Sequence, residues 1–186
     1  MKIISIFIVT MLLSIPLTAQ EMSRKEQRKL EKELKQEQKA KESAAKAAIT
    51  KILVEGQRFV LEADRLRDRR GNTVNVPATL NFIAVDSLEG VLQVGSNSYV
   101  GRNGVGGITE QGTVSNYSYK LNEKNGSYTV TYYLRSPGGS YDVQMVVYSD
   151  GRADATVSST WPGKLNYSGF LVAPGASRVW KGTTRY

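Results

Sequence analysis

Residues 125–135 read Asn-Gly-Ser-Tyr-Thr-Val-Thr-Tyr-Tyr-Leu-Arg, and this stretch decides the fold class. Asn-Gly between alternating segments is the strongest short signal for a β-hairpin, because both residues adopt positive φ readily. After the turn, apolar and aromatic side chains alternate with threonine, as in a strand with one buried face. Residues 112–121 approach the same turn from the other side. The stretch therefore predicts an antiparallel hairpin.

Similar segments continue on both sides of this hairpin, and together they predict about nine or ten short strands at roughly 8–12-residue spacing. The turn sequences after the hairpin are Pro137-Gly138-Gly139, Asp150-Gly151, Trp161-Pro162-Gly163 and Ala173-Pro174-Gly175. Strands and helices do not alternate, which excludes a parallel sheet. We expect a mainly β fold, a closed or nearly closed antiparallel β-barrel with an N-terminal α-helix. A β-sandwich is the alternative.

The helix is predicted from residues 22–48, which contain neither Gly nor Pro. Ser23 and Glu26 form a capping box at its start, and Gly56 is placed to end it. A core-facing stripe at helical spacing is predicted for its second half. The stripe consists of Ala45, Ala48, Ile49, Ile52 and Leu53. We therefore expect a charged helical spacer over residues 20–43 and a barrel domain with its leading helix over residues 44–186.

The first nineteen residues are typical of a secretory signal peptide. Lys2 supplies a positive charge, residues 3–15 are mostly apolar, and residues 16–19 read Pro-Leu-Thr-Ala before a polar segment. The apolar run is shorter than the roughly 20 residues that a spanning helix needs. We expect cleavage of residues 1–19, export to the periplasm (secretion is the alternative) and no transmembrane segment afterwards.

The chain contains no cysteine and no histidine. The missing histidine removes the commonest metal ligand and the commonest general base near neutral pH. Because both residues are missing, zinc sites that use Cys or His and Ser-His-Asp triads are excluded. We expect no metal, no cofactor and no catalytic residue. The formal net charge is +8. Nucleic acid is not expected as a partner, because basic and aromatic residues are not interleaved; anionic envelope polymers or lipid headgroups are more plausible.

Residues 101–107 form a glycine-rich loop between strands. It lacks the Gly-Lys-Ser/Thr ending of a P-loop and does not open a helix. The ordinary explanation is a tight connection with several positive φ angles, and the functional one is a loop that gates the mouth of the barrel. The candidate rim loop consists of Gly101, Arg102, Asn103, Gly104, Gly106 and Gly107.

Three further features are open to a functional interpretation. Glu62 and Asp64 lie two apart on one predicted strand, near the spacing of a glycosidase pair, although a solvated patch is the commoner explanation. Asp86-Ser87-Leu88 is similar to the Asp-Ser/Thr-apolar O-glycosylation motif, which makes Ser87 a possible glycosylation site. All ten tyrosines follow residue 98; they suit half-buried strands and could also line a ligand pocket.

Several segments of the chain together resemble a known family. They are residues 59–65, Phe-Val-Leu-Glu-Ala-Asp-Arg; residues 70–71, Arg-Gly; residues 81–86, Asn-Phe-Ile-Ala-Val-Asp; residues 93–96, Gln-Val-Gly-Ser; residues 103–109, Asn-Gly-Val-Gly-Gly-Ile-Thr; and residues 168–169, Ser-Gly. The pattern is similar to that of a Bacteroidetes family of exported proteins, domain of unknown function 4251, over about residues 44–182. The resemblance implies a lipocalin-like barrel. It implies no activity, so no functional residue is carried over.

The sequence favours a non-catalytic, exported binding module over other functions. Its ligand would be a small apolar or amphipathic molecule inside the barrel, or an envelope protein or glycan at the rim. The alternatives are a structural or protein-interaction role in the cell envelope and, third, a carboxylate-dependent glycan hydrolase that uses Glu62.

Overall fold

The structure is a computed structural model that describes residues 23–98, 101, 103–159 and 163–184 of the 186-residue chain. The predicted signal peptide lies outside the described residues, as does Arg102 of the candidate rim loop. The chain divides into two compact units, Met1–Gln38 and Lys39–Tyr186. In the first unit, the described residues after Ser23 are helical, and all are exposed to solvent.

The described residues contain one α-helix and nine strands. They are α1 (Arg24–Glu55), β1 (Arg58–Asp68), β2 (Thr73–Asn75), β3 (Phe82–Asp86), β4 (Glu89–Val94), β5 (Ile108–Asn122), β6 (Ser127–Ser136), β7 (Gly139–Val147), β8 (Arg152–Ser159) and β9 (Lys164–Val172). A single 3₁₀ turn, Pro174–Ala176, follows β9.

Eight of the strands form a closed antiparallel barrel. Neighbours pair in the order β1-β3-β4-β5-β6-β7-β8-β9, and β9 pairs back onto β1 from Val60↔Val172 to Asp68↔Leu165. The short strand β2 is added beside the second half of β1. Because the sheet closes on itself, the antiparallel barrel is confirmed and the β-sandwich is not favoured.

The hairpin expected around residue 125 joins β5 to β6. The two strands are in register from Thr113↔Arg135 to Asn122↔Ser127, with one irregularity between Ser115 and Ser118. The connection covers residues 123–126, and Gly126 takes the positive φ of 66°. The hairpin prediction is therefore confirmed, with a four-residue turn.

Apolar side chains fill most of the barrel interior. Every strand of the barrel contributes alternate residues, as the pleat requires. Fully buried interior residues are Phe59, Leu61, Ala63, Ile83, Val130, Leu134, Val143, Met145 and Val147. The chain has no disulfide to stabilise it, so this packed interior supplies most of its stability.

The C-terminal end of α1 packs on one end of the barrel, but with a different face from the predicted one. The buried residues of α1 are Thr50, Leu53 and Val54. Ile49 and Ile52, central to the predicted stripe, are 55% and 70% exposed. Ala45 and Ala48 of the stripe are exposed as well. The prediction was correct for Leu53 and wrong for the other four residues. The contacting face lies one residue further along the helix, where Thr50 is buried although its polarity suggested the surface.

Candidate functional site

A cavity of about 230 Å³ lies at the end of the barrel opposite α1. It is formed where β4 ends, β5 begins, β8 ends and β9 begins, so all its walls come from the same end of the sheet. The lining residues are Leu92, Val94, Ile108, Glu110, Tyr141, Val157, Ser159, Gly163, Lys164, Leu165 and Tyr167. The side chains that fill the barrel interior do not reach this end, and a mostly apolar cavity remains there.

Glu110 is the buried charged residue of this cavity. It faces Leu92 across the β4–β5 pair, and the side chain is almost fully buried, with 4% of the residue exposed. Its Oε2 accepts a hydrogen bond of 2.6 Å from the Ser136 hydroxyl. A carboxylate held in an apolar wall favours a donor or cation close to it.

Tyrosines line the route from this cavity into the barrel. Tyr141 and Tyr167 line the cavity itself, and Tyr132 lies deeper, stacked on Tyr117 with ring centroids 6.0 Å apart. The Tyr117 hydroxyl donates a 2.7 Å hydrogen bond to the carbonyl of Val54 at the end of α1. The tyrosines thus serve both as core and as pocket lining.

Burial controls the ionisation of these tyrosines. It raises the pKa of Tyr132 and of Tyr167 well above the ordinary range, and the neighbouring tyrosine hydroxyls add to both shifts. Burial also raises the pKa of Tyr117. The hydroxyl of Tyr132 is buried without a hydrogen-bond partner in the described part of the chain. All three side chains are therefore neutral at physiological pH.

The candidate rim loop packs against the outside of the barrel. Asn103 is buried; its Oδ1 accepts hydrogen bonds from the amides of Val105 and Gly107 at 3.2 and 2.9 Å. Gly101, Gly104 and Gly106 have positive φ angles of 60°, 76° and 67°. None of the described residues of this loop lines the cavity. The structure therefore places the loop beside the mouth as a tightly folded connection.

A C-terminal strap, which we define as residues 177–184, covers this loop. The buried amide of Gln93 connects them: its Nε2 donates to the carbonyl of Trp180 at 2.8 Å, and its Oε1 accepts from the amide of Gly182 at 2.8 Å. Thr109 and Asn103 extend the network at 2.9 and 3.1 Å. On this side of the barrel, the strap therefore forms a second layer outside the wall.

Glu62 anchors the same strap. Its Oε1 accepts hydrogen bonds from the Ser177 hydroxyl at 2.8 Å and from the Arg178 amide at 2.9 Å. Asp64 lies at the irregularity between Ala63 and Arg65, where β1 bulges against β9. Neither carboxylate lines the cavity. The structure thus gives Glu62 a strap contact and does not bring the two carboxylates together over a cleft.

Ser87 lies exposed in the turn between β3 and β4. Its φ is 57°, and its amide donates to the carbonyl of Gln57 at 2.9 Å. The hydroxyl side is accessible, and glycosylation of Ser87 stays a prediction.

The described residues contain neither a membrane-spanning helix nor a cluster of metal ligands. No helix there is sufficiently long and apolar to cross a bilayer. No group of three acidic side chains in the described ranges is arranged to hold a metal ion.

The model of a protein family, described as a domain of unknown function (DUF4251), matches residues 41–171. The chain belongs to the DUF4251 family. The predicted membership is thereby confirmed, and the matched region contains the last turns of α1 and the barrel up to Leu171 in β9. It ends before the strap.

A crystal structure of a DUF4251 family protein from Bacteroides eggerthii DSM 20697 has a similar fold. The two chains are 29% identical, the alignment covers 72% of this chain and 91% of the other, and the TM-score is 0.61. No curated protein matches the chain. The similarity supports the barrel and assigns no ligand.

Proposed function

We propose that this DUF4251 protein is a non-catalytic binding module of the periplasm that holds a small amphipathic molecule in the cavity at the open end of its barrel. The observation that carries the proposal is the Glu110 carboxylate, buried in an otherwise mostly apolar cavity with one hydrogen bond from Ser136. Apolar walls bind the body of the ligand, and the second oxygen of Glu110 binds a hydroxyl or amino end.

The size of the cavity limits the ligand. About 230 Å³ is below the range of roughly 300–1,000 Å³ typical of drug-sized ligands. It exceeds the roughly 150 Å³ of an engineered cavity that binds benzene. One aromatic ring or one short alkyl chain with a donor at its end therefore fits. Eight-stranded barrels of the lipocalin type likewise hold one small ligand.

Binding is tested by NMR titration with hexylamine, benzylamine and hexanol. We expect shifts of the amides around the cavity and a preference for the amines. Val157→Phe fills the cavity, since Val157 lines it and is 8% exposed, and should abolish the shifts. Val74→Phe is the matched control, because Val74 lies on β2 and is 56% exposed. Glu110→Gln should remove the preference for amines.

Equal binding by the Val157→Phe protein and the parent would contradict the proposed site. The cellular part of the proposal has its own measurement. The exported protein, recovered from the periplasmic fraction, should begin at Gln20, and a mature protein that retains residues 1–19 in the cytoplasm would contradict export.

A second candidate function is docking of an envelope protein on α1. Ile49 and Ile52 are exposed on the helix although its neighbouring face is buried, and such apolar side chains suit a protein contact. A photo-crosslinking residue at position 52 should capture one defined protein in cells, whereas the same residue at Ser43 should not. Equal capture at both positions would contradict this candidate.

A further inference from the structure

Four arginines lie together on the outside of the barrel. Arg65 and Arg67 are exposed on β1, and Arg69 and Arg70 follow in the turn to β2. In the described residues none of the four makes an ion pair or a side-chain hydrogen bond. Asp68, which separates Arg67 from Arg69 in the sequence, instead accepts the amides of Arg70 and Asn72 and the side chain of Asn72, at 2.8–2.9 Å.

Two other arginines of the barrel have acidic partners. Arg58 contacts Asp86 at 2.9 Å, and Arg152 contacts Asp150 at 2.7 Å. Asp64 and Asp154 line the same surface, so the four arginines there exceed the carboxylates and leave an excess of positive charge. Guanidinium groups bind carboxylates with two parallel hydrogen bonds, which makes such a region suited to anions.

The strand register extends this region into a groove. Arg67 lies opposite Asn166, which lies opposite Thr156; Arg65 lies opposite Ser168, which lies opposite Asp154. Opposite residues of paired strands share a face. The outer surface of β1, β9 and β8 therefore presents two parallel rows, each with an arginine at one end and hydroxyl, amide or carboxylate groups behind it.

Neighbouring side chains hold these polar groups in place. The Thr156 hydroxyl donates to Asn166 at 2.7 Å, and the Ser168 hydroxyl donates to Asp154 at 2.6 Å. Two adjoining depressions of about 420 and 340 Å³ lie over the rows, and both are lined by Arg65, Asp154 and Ser168. We call this continuous surface the arginine groove.

Aromatic side chains border the second depression. Phe170 and Tyr148 line it and are 50% and 39% exposed, and Arg152 lies over the Tyr148 ring at 5.8 Å. Exposed ring faces next to fixed hydroxyl and amide groups suit the C–H faces and hydroxyls of a sugar. Arg65 and Arg67 are two residues apart, which spaces them by about 6.6 Å along the strand, so the bound anions must recur at short intervals.

We propose that the arginine groove binds a carboxylate-bearing polysaccharide. The arginines bind the recurring carboxylates, the rows behind them bind sugar hydroxyls, and Phe170 stacks on a sugar ring. A lipid surface fits less well, because the polar groups and ring faces lie along a groove in the sheet. This site is separate from the cavity at the mouth, so either can fail without the other.

Polygalacturonate of defined length is the test ligand, and dextran of the same length is the neutral control. Isothermal titration at low salt should show binding of polygalacturonate alone, weaker as salt rises. The double change Arg65→Gln and Arg67→Gln should weaken binding about five- to tenfold, since each exposed ion pair contributes modestly. The matched control is Lys120→Gln with Lys124→Gln, which removes the same charge from β5 and its turn and should change affinity less than twofold.

Phe170→Ala should also weaken binding, and unchanged melting temperatures of all variants show that the barrel remains folded. Equal losses in the arginine and lysine variants would overturn the proposal, because the attraction would then be a general effect of net charge. No binding of polygalacturonate would overturn it as well. Binding to phosphatidylglycerol vesicles, lost in the arginine variant while polygalacturonate does not bind, would replace the polysaccharide with a membrane.

Discussion

At the scale of single residues, two stacked tyrosines have opposite effects on stability. The hydroxyl of Tyr117 donates to the carbonyl of Val54, whereas that of Tyr132 is buried without a partner. A buried polar group without a partner costs about 1–3 kcal/mol. We expect Tyr132→Phe to leave the free energy of unfolding unchanged or to raise it by about 1 kcal/mol, and Tyr117→Phe to lower it by about 1 kcal/mol. Urea denaturation measures both.

Each substitution is the matched control for the other, since each removes one oxygen from the same ring stack. A loss of stability in Tyr132→Phe as large as that in Tyr117→Phe would contradict the assignment. It would mean that the Tyr132 hydroxyl has a partner, such as a buried water molecule.

The residues of the candidate site were the hardest to predict from the sequence. Glu110 stands among Thr109, Gln111 and Gly112, a polar segment that suggests an exposed strand, although β5 turns Glu110 inward. Gln93 gave no signal either, because a lone glutamine is most often at the surface. Asn103 lies in the glycine-rich segment that predicts the rim loop, and its buried amide shows why the loop needs an asparagine there.

At the scale of elements, α1 shows where periodicity was informative and where it was not. Its existence and end were predictable from composition and from Gly56. Its buried face was not, because Ala45, Ala48, Ile49 and Ile52 make a more apolar stripe than the residues that contact the barrel. The face of α1 that contacts the barrel is determined by the turn at residues 56–57. Gln57 takes a φ of 51° there and directs the chain into β1.

The face assignment predicts unequal effects of two neighbouring substitutions. Leu53 is 6% exposed, so Leu53→Ala should lower the free energy of unfolding by about 2–4 kcal/mol. Ile52 is 70% exposed, and Ile52→Ala should change it by less than about 0.5 kcal/mol. Thermal and urea unfolding measure the difference. If Ile52→Ala were the more destabilising, the helix would contact the barrel through the predicted stripe.

At the scale of the whole molecule, the barrel was predictable and its strap was not. Regular turn sequences and period-two alternation determine the strand count, and eight strands close readily around an apolar interior. The strap follows the last strand without periodicity. Its position depends on hydrogen bonds to Gln93 and Glu62, which are distant in sequence, and single-sequence patterns do not contain such pairs.

The response of the molecule to pH follows from its inventory of titrating groups. With no histidine and no cysteine, no imidazole or thiol titrates near neutrality. Burial raises the pKa of Tyr132 and Tyr167 above the value of about 10 that they have in the unfolded chain. The folded state therefore retains protons that the unfolded state loses. The stability that these buried tyrosines contribute is fully present below pH 10 and is lost as the pH rises above that value.

We accordingly expect a free energy of unfolding that is nearly constant between pH 6 and about 9 and falls above about pH 10. Each of the two buried tyrosines contributes a slope approaching about 1.4 kcal/mol per pH unit once the unfolded chain is deprotonated. Urea denaturation at a series of pH values up to about 11.5 measures it. The double variant Tyr132→Phe with Tyr167→Phe should have a shallower alkaline slope, and Tyr133→Phe, at a tyrosine that is 48% exposed, should keep the parent slope. An alkaline slope that is the same in the double variant would show that other groups cause the loss of stability.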